Sequence, residues 1–164
     1  MAIFKVERIG KNHDLMSKLN YIMKPEASSS ELIFTRYLMT DSPYGEMMAV
    51  KKCYSSSQND LLYGRQYFEF MLSLNEDESS RVTDFANCLN KVIDYISDFK
   101  GTIYQVIAAI HTNTDNLHAH IIVNNIDMIT GKRFLLPPVD LFNLKQEINS
   151  ILEEYAFEGI KFGS

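Results

Sequence analysis

Two apolar segments joined by a short polar turn constrain the fold of this chain more than any other feature. Residues 102–111 (TIYQVIAAIH) and 117–127 (LHAHIIVNNID) are rich in branched residues, whereas residues 112–116 (TNTDN) are typical of a turn. The pattern predicts a buried antiparallel hairpin, around which the rest of the chain must build a covered sheet.

The remaining hydrophobic patterns predict further strands and helices. Strands are expected at residues 2–9 and 65–74, and amphipathic helices at residues 14–23, 81–98 and 140–156. Between residues 27 and 64 the pattern fixes no boundaries. Residues 32–39 could form a strand or a helix, residues 46–54 could form a helix, and residues 55–60 resemble a loop. This order indicates an α+β domain in which helices cover a central antiparallel sheet.

Length and composition favour one soluble globular domain over residues 1–164. A chain of 164 residues with 46% hydrophobic content can bury one good core but is short for two domains. Cys53 and Cys88 do not form a CxxC pair, which argues against a disulfide framework and fits a reducing cytosol. The N-terminal residues mix charges with apolar residues, so neither a signal peptide nor a membrane span is expected.

Three of the four histidines lie in the predicted hairpin. His118 and His120 are two residues apart on one strand and therefore share a face, and the turn brings His111 back beside them. Three neutral imidazoles suit a divalent metal with open positions, and ligand softness favours Zn, Mn, Co or Ni over Mg. The alternatives are surface histidines in a polar turn or a purely structural metal site.

A tyrosine in the first predicted helix stands apart from the apolar stripe. Leu15, Leu19 and Ile22 form that stripe, whereas Tyr21 falls among polar residues with Lys18 and Lys24 about one turn to either side. Tyr21 is therefore predicted to be accessible and flanked by positive charge. Many exposed helical tyrosines have no function, and the pattern alone does not show whether Tyr21 is a functional residue or one of these.

Four segments together resemble the relaxases and mobilization proteins of conjugative plasmids and transposons, a MobA/VirD2-like branch of the HUH endonuclease superfamily. The segments read LNYIMKPEAS at 19–28, GRQYFEFMLSL at 64–74, HTNTDNLHAHIIVNN at 111–125 and DMITGKRF at 127–134. The resemblance implies an HUH-like layered fold that nicks and rejoins single-stranded DNA at an origin of transfer. It also implies that Tyr21 is the nucleophile, leaving a 5′-phosphotyrosine and a free 3′-hydroxyl.

The resemblance and the chemistry of such sites together assign candidate roles. The three histidines would hold the metal, and Lys18 and Lys24 would contact DNA. Glu69 could orient a ligand histidine, or be a surface glutamate on an edge strand. Asp115 could support a ligand or only form the turn, and Asn124 matches a motif asparagine. The chain has Asn113 where the family often has aspartate, and Glu69 where it often has histidine.

The resemblance also implies a divalent cation and a set of partners. The cation would be Mn, Mg or Zn, with Mn expected to support activity in vitro. The partners would be a DNA hairpin with its flanking single strand, accessory relaxosome proteins and a coupling protein, with no insertion into a membrane. The protein would act in the bacterial cytoplasm and be translocated with the DNA. Longer relaxases carry C-terminal regions, which are expected to be absent here.

The formal charge of −5 is the main feature that opposes a nucleic-acid enzyme, because Lys and Arg usually neutralise phosphates. Acidic residues cluster at 75–80 and 151–159, however, while the first 25 residues have a basic bias. Two alternatives therefore stay open. One is a rolling-circle replication initiator that uses Tyr155, and the other is a non-catalytic module that binds metal or DNA.

Overall fold

The computed structural model describes residues 1–10, 12–39, 41–54 and 66–162. Five strands form one sheet in the order β1, β3, β5, β4, β2, and every neighbouring pair is antiparallel. The strands are β1 (Ile3–Gly10), β2 (Ile33–Arg36), β3 (Tyr67–Ser73), β4 (Val106–His111) and β5 (His118–Asn124). The helices are α1 (Asn12–Ile22), α2 (Pro43–Tyr54), α3 (Val82–Ser97) and α4 (Pro138–Glu154).

Helices cover both faces of this sheet. The larger core joins α3 and α4 to one face, where Phe68, Phe70 and Ile121 point inward. The smaller core joins α1 and α2 to the opposite face, where Tyr67 and Ile122 meet the helices. The predicted α+β architecture, with a central antiparallel sheet covered by helices, is confirmed.

The central hairpin forms as predicted, although both strands are shorter than the apolar segments. Residues 103 and 104 lie outside β4 because their backbone bonds to irregular partners, such as the 2.8 Å bond from the Tyr104 amide to the Ser97 carbonyl. Beyond β5, Asp127 forms a turn in which its carboxylate accepts hydrogen bonds from the Ile103 and Ile129 amides. Competing hydrogen bonds, not a loss of hydrophobicity, therefore end these strands.

The ambiguous segment is resolved where the structure describes it. The reading of residues 32–39 as strand or helix narrows to the short edge strand β2, and the helix expected at 46–54 begins earlier, at Pro43. Helix α4 likewise begins at Pro138, before the expected residue 140, because proline is well suited to the first turn of a helix. The loop predicted at residues 55–60 lies outside the described residues.

The larger core predicts which substitution destabilises the protein most clearly. The Phe70 side chain is fully buried and stacks on Phe4 at a centroid distance of 5.3 Å. Phe70→Ala is expected to lower the free energy of unfolding by about 3–5 kcal/mol, because it leaves a cavity in the sheet core. Phe142→Ala is the matched control, since that ring is 50% exposed, and should cost less than about 1 kcal/mol. Urea denaturation monitored by circular dichroism measures both, and equal losses would contradict this view of the core.

Candidate metal and nucleophile site

The three hairpin histidines converge on the face of the sheet that α1 covers. The register of β4 and β5 pairs His111 with His118 and Ala109 with His120, so all three rings lie side by side. Their ring centroids are 4.6 to 5.3 Å apart, and one nitrogen from each lies within 4.8 Å of the others. This spacing allows three imidazole nitrogens to bind one ion. His111 and His120 are buried, which argues against the alternative of surface histidines.

Each ring also has a hydrogen bond that fixes its orientation. His111 Nε2 lies 2.9 Å from the Ile22 carbonyl oxygen, and His118 Nδ1 lies 3.0 Å from the Asn116 carbonyl oxygen. Because carbonyl oxygens only accept, these nitrogens carry the proton and leave the other nitrogen of each ring free to bind a metal.

The third histidine gives the clearest evidence that the site fits a metal. His120 Nδ1 lies 2.9 Å from Glu69 Oε1, whereas its Nε2 is buried without a hydrogen-bond partner among the described residues. A buried imidazole nitrogen without a partner is costly, and a metal ion would satisfy it. The donor set of three imidazoles therefore fits a divalent cation.

Glu69 occupies the interior of the sheet, so the reading of a surface glutamate on an edge strand is wrong. Strand β3 lies between β1 and β5, and the Glu69 side chain is fully buried. Its second oxygen, Oε2, lies 3.1 Å from Lys18 Nζ. Burial alone would raise the pKa of Glu69, but hydrogen bonds from His120 and Lys18 outweigh it and lower the pKa. The carboxylate is therefore ionised at neutral pH.

Tyr21 lies at the open side of this cluster. Its side chain is 44% exposed, while Leu15, Leu19 and Ile22 of the same helix are buried against the sheet. The Tyr21 ring lies 5.7 Å from the His111 ring and 5.8 Å from the His120 ring. The amphipathic pattern of α1 thus turns an accessible phenol toward the histidines.

The two lysines beside Tyr21 differ in their surroundings. Lys18 and Lys24 place their ammonium groups 5.1 and 4.7 Å from the Tyr21 ring centroid. Lys18 is only 20% exposed and pairs with the buried carboxylate of Glu69. Within the part of the chain that the structure describes, no ion pair engages Lys24, so its charge is available to a ligand phosphate.

Two further candidate residues, Asp115 and Asn124, do not contact the histidines. Asp115 is exposed in the turn, and the Asn116 carbonyl occupies the supporting position beside His118. Asn124 is buried at the far end of β5, where its Oδ1 accepts a hydrogen bond from Lys51 and its Nδ2 donates to Gln105 Oε1 at 3.0 Å. Three residues of extended strand separate Asn124 from His120, so Asn124 does not contact the histidines, and a role for this motif asparagine stays a prediction.

Lys51 was missed by the sequence reading because nothing in its local pattern marks a buried lysine. Its side chain is 2% exposed and donates to the Gln66 carbonyl at 2.8 Å as well as to Asn124. Burial, aided by the charge of Arg133, lowers the pKa of Lys51 to about 7. This group joins α2 to the end of β5, away from the histidines.

Comparison with protein families places the geometry in context. Residues 21–157 match the family model described as relaxase, MobA/VirD2-like, nuclease domain. This chain is a member of that relaxase family. The match contains Tyr21, Glu69 and all three histidines, and the family resemblance predicted from the four motifs is confirmed. Comparison with curated proteins gives no sequence match.

Solved structures share the relaxase fold over almost the whole chain. Two are of the MobM relaxase domain (MOBV; Mob_Pre) bound to plasmid pMV158 oriT DNA, both in Mn-bound form, at pH 5.5 and pH 6.8. The first superposes with a TM-score of 0.70 at 12% identity, covering 99% of this chain and 90% of that one. The second gives 0.71 at 12% identity, covering 99% and 91%. In the part of this relaxase that the structure describes, no helix is long and apolar enough to cross a membrane.

The buried histidines make the stability of the metal-free relaxase depend on pH. Burial lowers the pKa of His111 to about 4, helped by the neighbouring His120 and His118, and burial also lowers the pKa of His118. The unfolded chain takes up these protons near its ordinary histidine pKa of about 6.5. The contribution of these histidines to the free energy of unfolding is therefore fully present above about pH 6.5 and is lost as the pH falls toward 4.

We expect the free energy of unfolding of chelator-treated protein to decrease between pH 7 and pH 4, by up to about 1.4 kcal/mol per pH unit for each such histidine. His111→Gln removes one of these groups, so its pH dependence should be shallower by roughly one proton. Urea denaturation at three or more pH values measures both proteins. Identical slopes would show that His111 titrates normally in the folded state.

Proposed function

We propose that this relaxase domain nicks and rejoins single-stranded DNA at an origin of transfer through a 5′-phosphotyrosine on Tyr21. The observation that carries this proposal is the position of Tyr21, whose ring lies within 6 Å of two of the three clustered histidines. An accessible phenol beside a metal-binding cluster can attack a phosphate that the same cluster holds. Such a product would start the mobilization of a plasmid or an integrative element.

The proposed metal ligands are His111, His118 and His120. A divalent cation held by them would polarise the scissile phosphate and stabilise the charge that develops on its oxygens. Mn is our first choice, because the MobM relaxase domain, which has the same fold, was crystallised with Mn. The imidazoles hold their free nitrogens toward one point through their hydrogen bonds to Ile22, Asn116 and Glu69.

In the proposed step, Tyr21 forms the one new bond to phosphorus. Its phenol oxygen attacks the phosphorus, the bond from phosphorus to the 3′-oxygen breaks, and the proton lost by the phenol is balanced by the one gained by the 3′-hydroxyl. No oxidation or reduction occurs, and the energy of the phosphodiester is retained in the phosphotyrosine. The free 3′-hydroxyl can therefore attack in reverse and rejoin the strand.

Glu69 and Lys18 are proposed to position the metal ligand His120 and the helix that carries Tyr21. The Glu69 carboxylate accepts from His120 on one oxygen and pairs with Lys18 on the other. It thus fixes the tautomer of a ligand histidine and also fastens α1, which carries Tyr21, to the sheet. Lys18, predicted from sequence as a DNA contact, is better assigned to this internal role.

Lys24 is the proposed phosphate contact beside Tyr21. Its ammonium lies 4.7 Å from the Tyr21 ring centroid and has no carboxylate partner in the described part of the chain. A local cation of this kind lets a protein with a net charge of −5 receive a DNA strand. The DNA of the MobM complexes is origin-of-transfer DNA, and we propose the same class of substrate here, with relaxosome proteins and a coupling protein as further partners.

The replication-initiator alternative is disfavoured by the position of Tyr155. Tyr155 follows α4, and it packs against the core on the other side of the sheet from the histidines. Its neighbour Glu154 pairs with Lys91, whose ammonium lies 5.3 Å from the Tyr155 ring. The non-catalytic alternative predicts metal or DNA binding without a covalent adduct. An assay for a protein–DNA adduct therefore distinguishes it from the nicking function.

Tyr21→Phe is expected to abolish covalent attachment to DNA while leaving folding and strand binding nearly intact, because it deletes one exposed hydroxyl. The assay incubates protein and a labelled cognate strand with Mn²⁺ and resolves the adduct on a denaturing gel. Tyr155→Phe is the matched control and should form the adduct normally. Loss of the adduct in Tyr155→Phe alone would favour the replication initiator instead.

His118→Ala and His120→Ala should each remove one metal ligand. Metal affinity, measured by calorimetry with Mn²⁺, is expected to fall by at least about tenfold, and cleavage should stop. Single-strand binding should persist, since it depends on other surfaces. Undiminished Mn²⁺ binding in the double variant, or full nicking by chelator-treated enzyme, would place the chemistry elsewhere.

A further inference from the structure

A groove lies between α1 and the start of α2. Its volume is about 720 Å³, large enough for a nucleotide-sized ligand. We call it the α1–α2 groove. Its lining includes the side chains of Met16, Asn20, Met23, Lys24, Asp41 and Tyr44.

The groove meets the candidate active site at Lys24. Lys24 lines the groove and also places its ammonium 4.7 Å from the Tyr21 ring centroid. Asn20 immediately precedes Tyr21 and is exposed on α1. A strand whose phosphate lies between Tyr21 and Lys24 would therefore pass the mouth of the groove.

The chemistry of the lining suits a base and disfavours a phosphate. Asp41 and Glu26 are exposed at the groove, and their negative charge would repel a second phosphate. Met16, Met23 and Tyr44 supply apolar and aromatic surface, on which any base can stack. Asn20 and Asp41 supply the polar groups that can meet the edge of a base.

We propose that the α1–α2 groove binds one unpaired base of the DNA strand next to the phosphate that Tyr21 attacks. This inference rests on the proposed function and assigns it a position at which sequence is read. The Asn20 Oδ1 and the Asp41 carboxylate together would accept hydrogen bonds from an exocyclic amino group, which cytosine, adenine and guanine carry and thymine lacks. The groove therefore selects an amino-bearing base over thymine.

Asn20→Ala tests the groove because alanine is well tolerated on an exposed helical face. The matched control is Asn143→Ala, an exposed asparagine on α4. Both changes are made in the Tyr21→Phe background, so that binding is measured without chemistry. Each protein is incubated with a pool of random 20-nucleotide single strands and Mn²⁺, and the bound strands are sequenced. Thermal unfolding verifies that each variant is folded.

The Tyr21→Phe parent should deplete thymine, and so enrich strands with an amino-bearing base, at one fixed position. Replacing that base by thymine should weaken binding to the parent about tenfold, whereas Asn20→Ala should bind both strands with nearly equal, weaker affinity. Asn143→Ala should behave like the parent. The inference is overturned if the parent selects no such position, or if Asn20→Ala keeps the full discrimination.

Adduct formation by the protein with intact Tyr21 on the selected strand separates the two proposals. An adduct combined with unchanged discrimination in Asn20→Ala would refute the groove and leave the nicking reaction standing. Base discrimination through Asn20 without any adduct would support the groove as a DNA-binding surface and refute nicking through Tyr21.

Discussion

The buried carboxylate of Glu69 connects the two halves of the candidate site. It lies on β3 in the middle of the sheet, where an unpaired negative charge would be very costly. Two donors from different elements compensate it, namely His120 of β5 and Lys18 of α1. The orientation of a metal ligand and the position of the helix that carries Tyr21 therefore depend on one shared group, and breaking it would leave a charge buried.

The sheet packs against helices on both faces, and the larger hydrophobic core and the candidate site lie on opposite faces. The face covered by α3 and α4 is almost entirely apolar and contains the larger core. The face covered by α1 and α2 contains a smaller core together with the histidines, Glu69, and the buried pair of Lys51 and Asn124. Because side chains alternate along each strand, β5 can contribute Ala119 and Ile121 to one layer and His118 and His120 to the other.

Accessible positive charge, rather than net charge, makes the site compatible with DNA. Lys18 forms an ion pair with the buried Glu69, so Lys24 is the lysine beside Tyr21 whose charge is available to a ligand. In the proposed binding mode, the acidic side chains at the α1–α2 groove would repel a second phosphate while the groove receives a base. An acidic protein can in this way discriminate between the backbone and the bases of a single strand.

The sequence alone determined the elements with strong periodicity and the residues that share a face within one element. Alternation in the hairpin brought His118 and His120 together, and the stripe of α1 excluded Tyr21 from the core. Distances between separate elements were decided only by the tertiary structure. Whether Glu69 was an edge residue or a buried partner depended on the strand order, and the contact of Asn124 with Lys51 depended on where α2 packs against the sheet. Hydrophobic patterns repeat over two to four residues, so they specify which residues share a face of one helix or strand but not which residues of other elements that face contacts. The pairing of Lys18 with Glu69 joins residues 51 positions apart, and long-range packing alone brings them into contact.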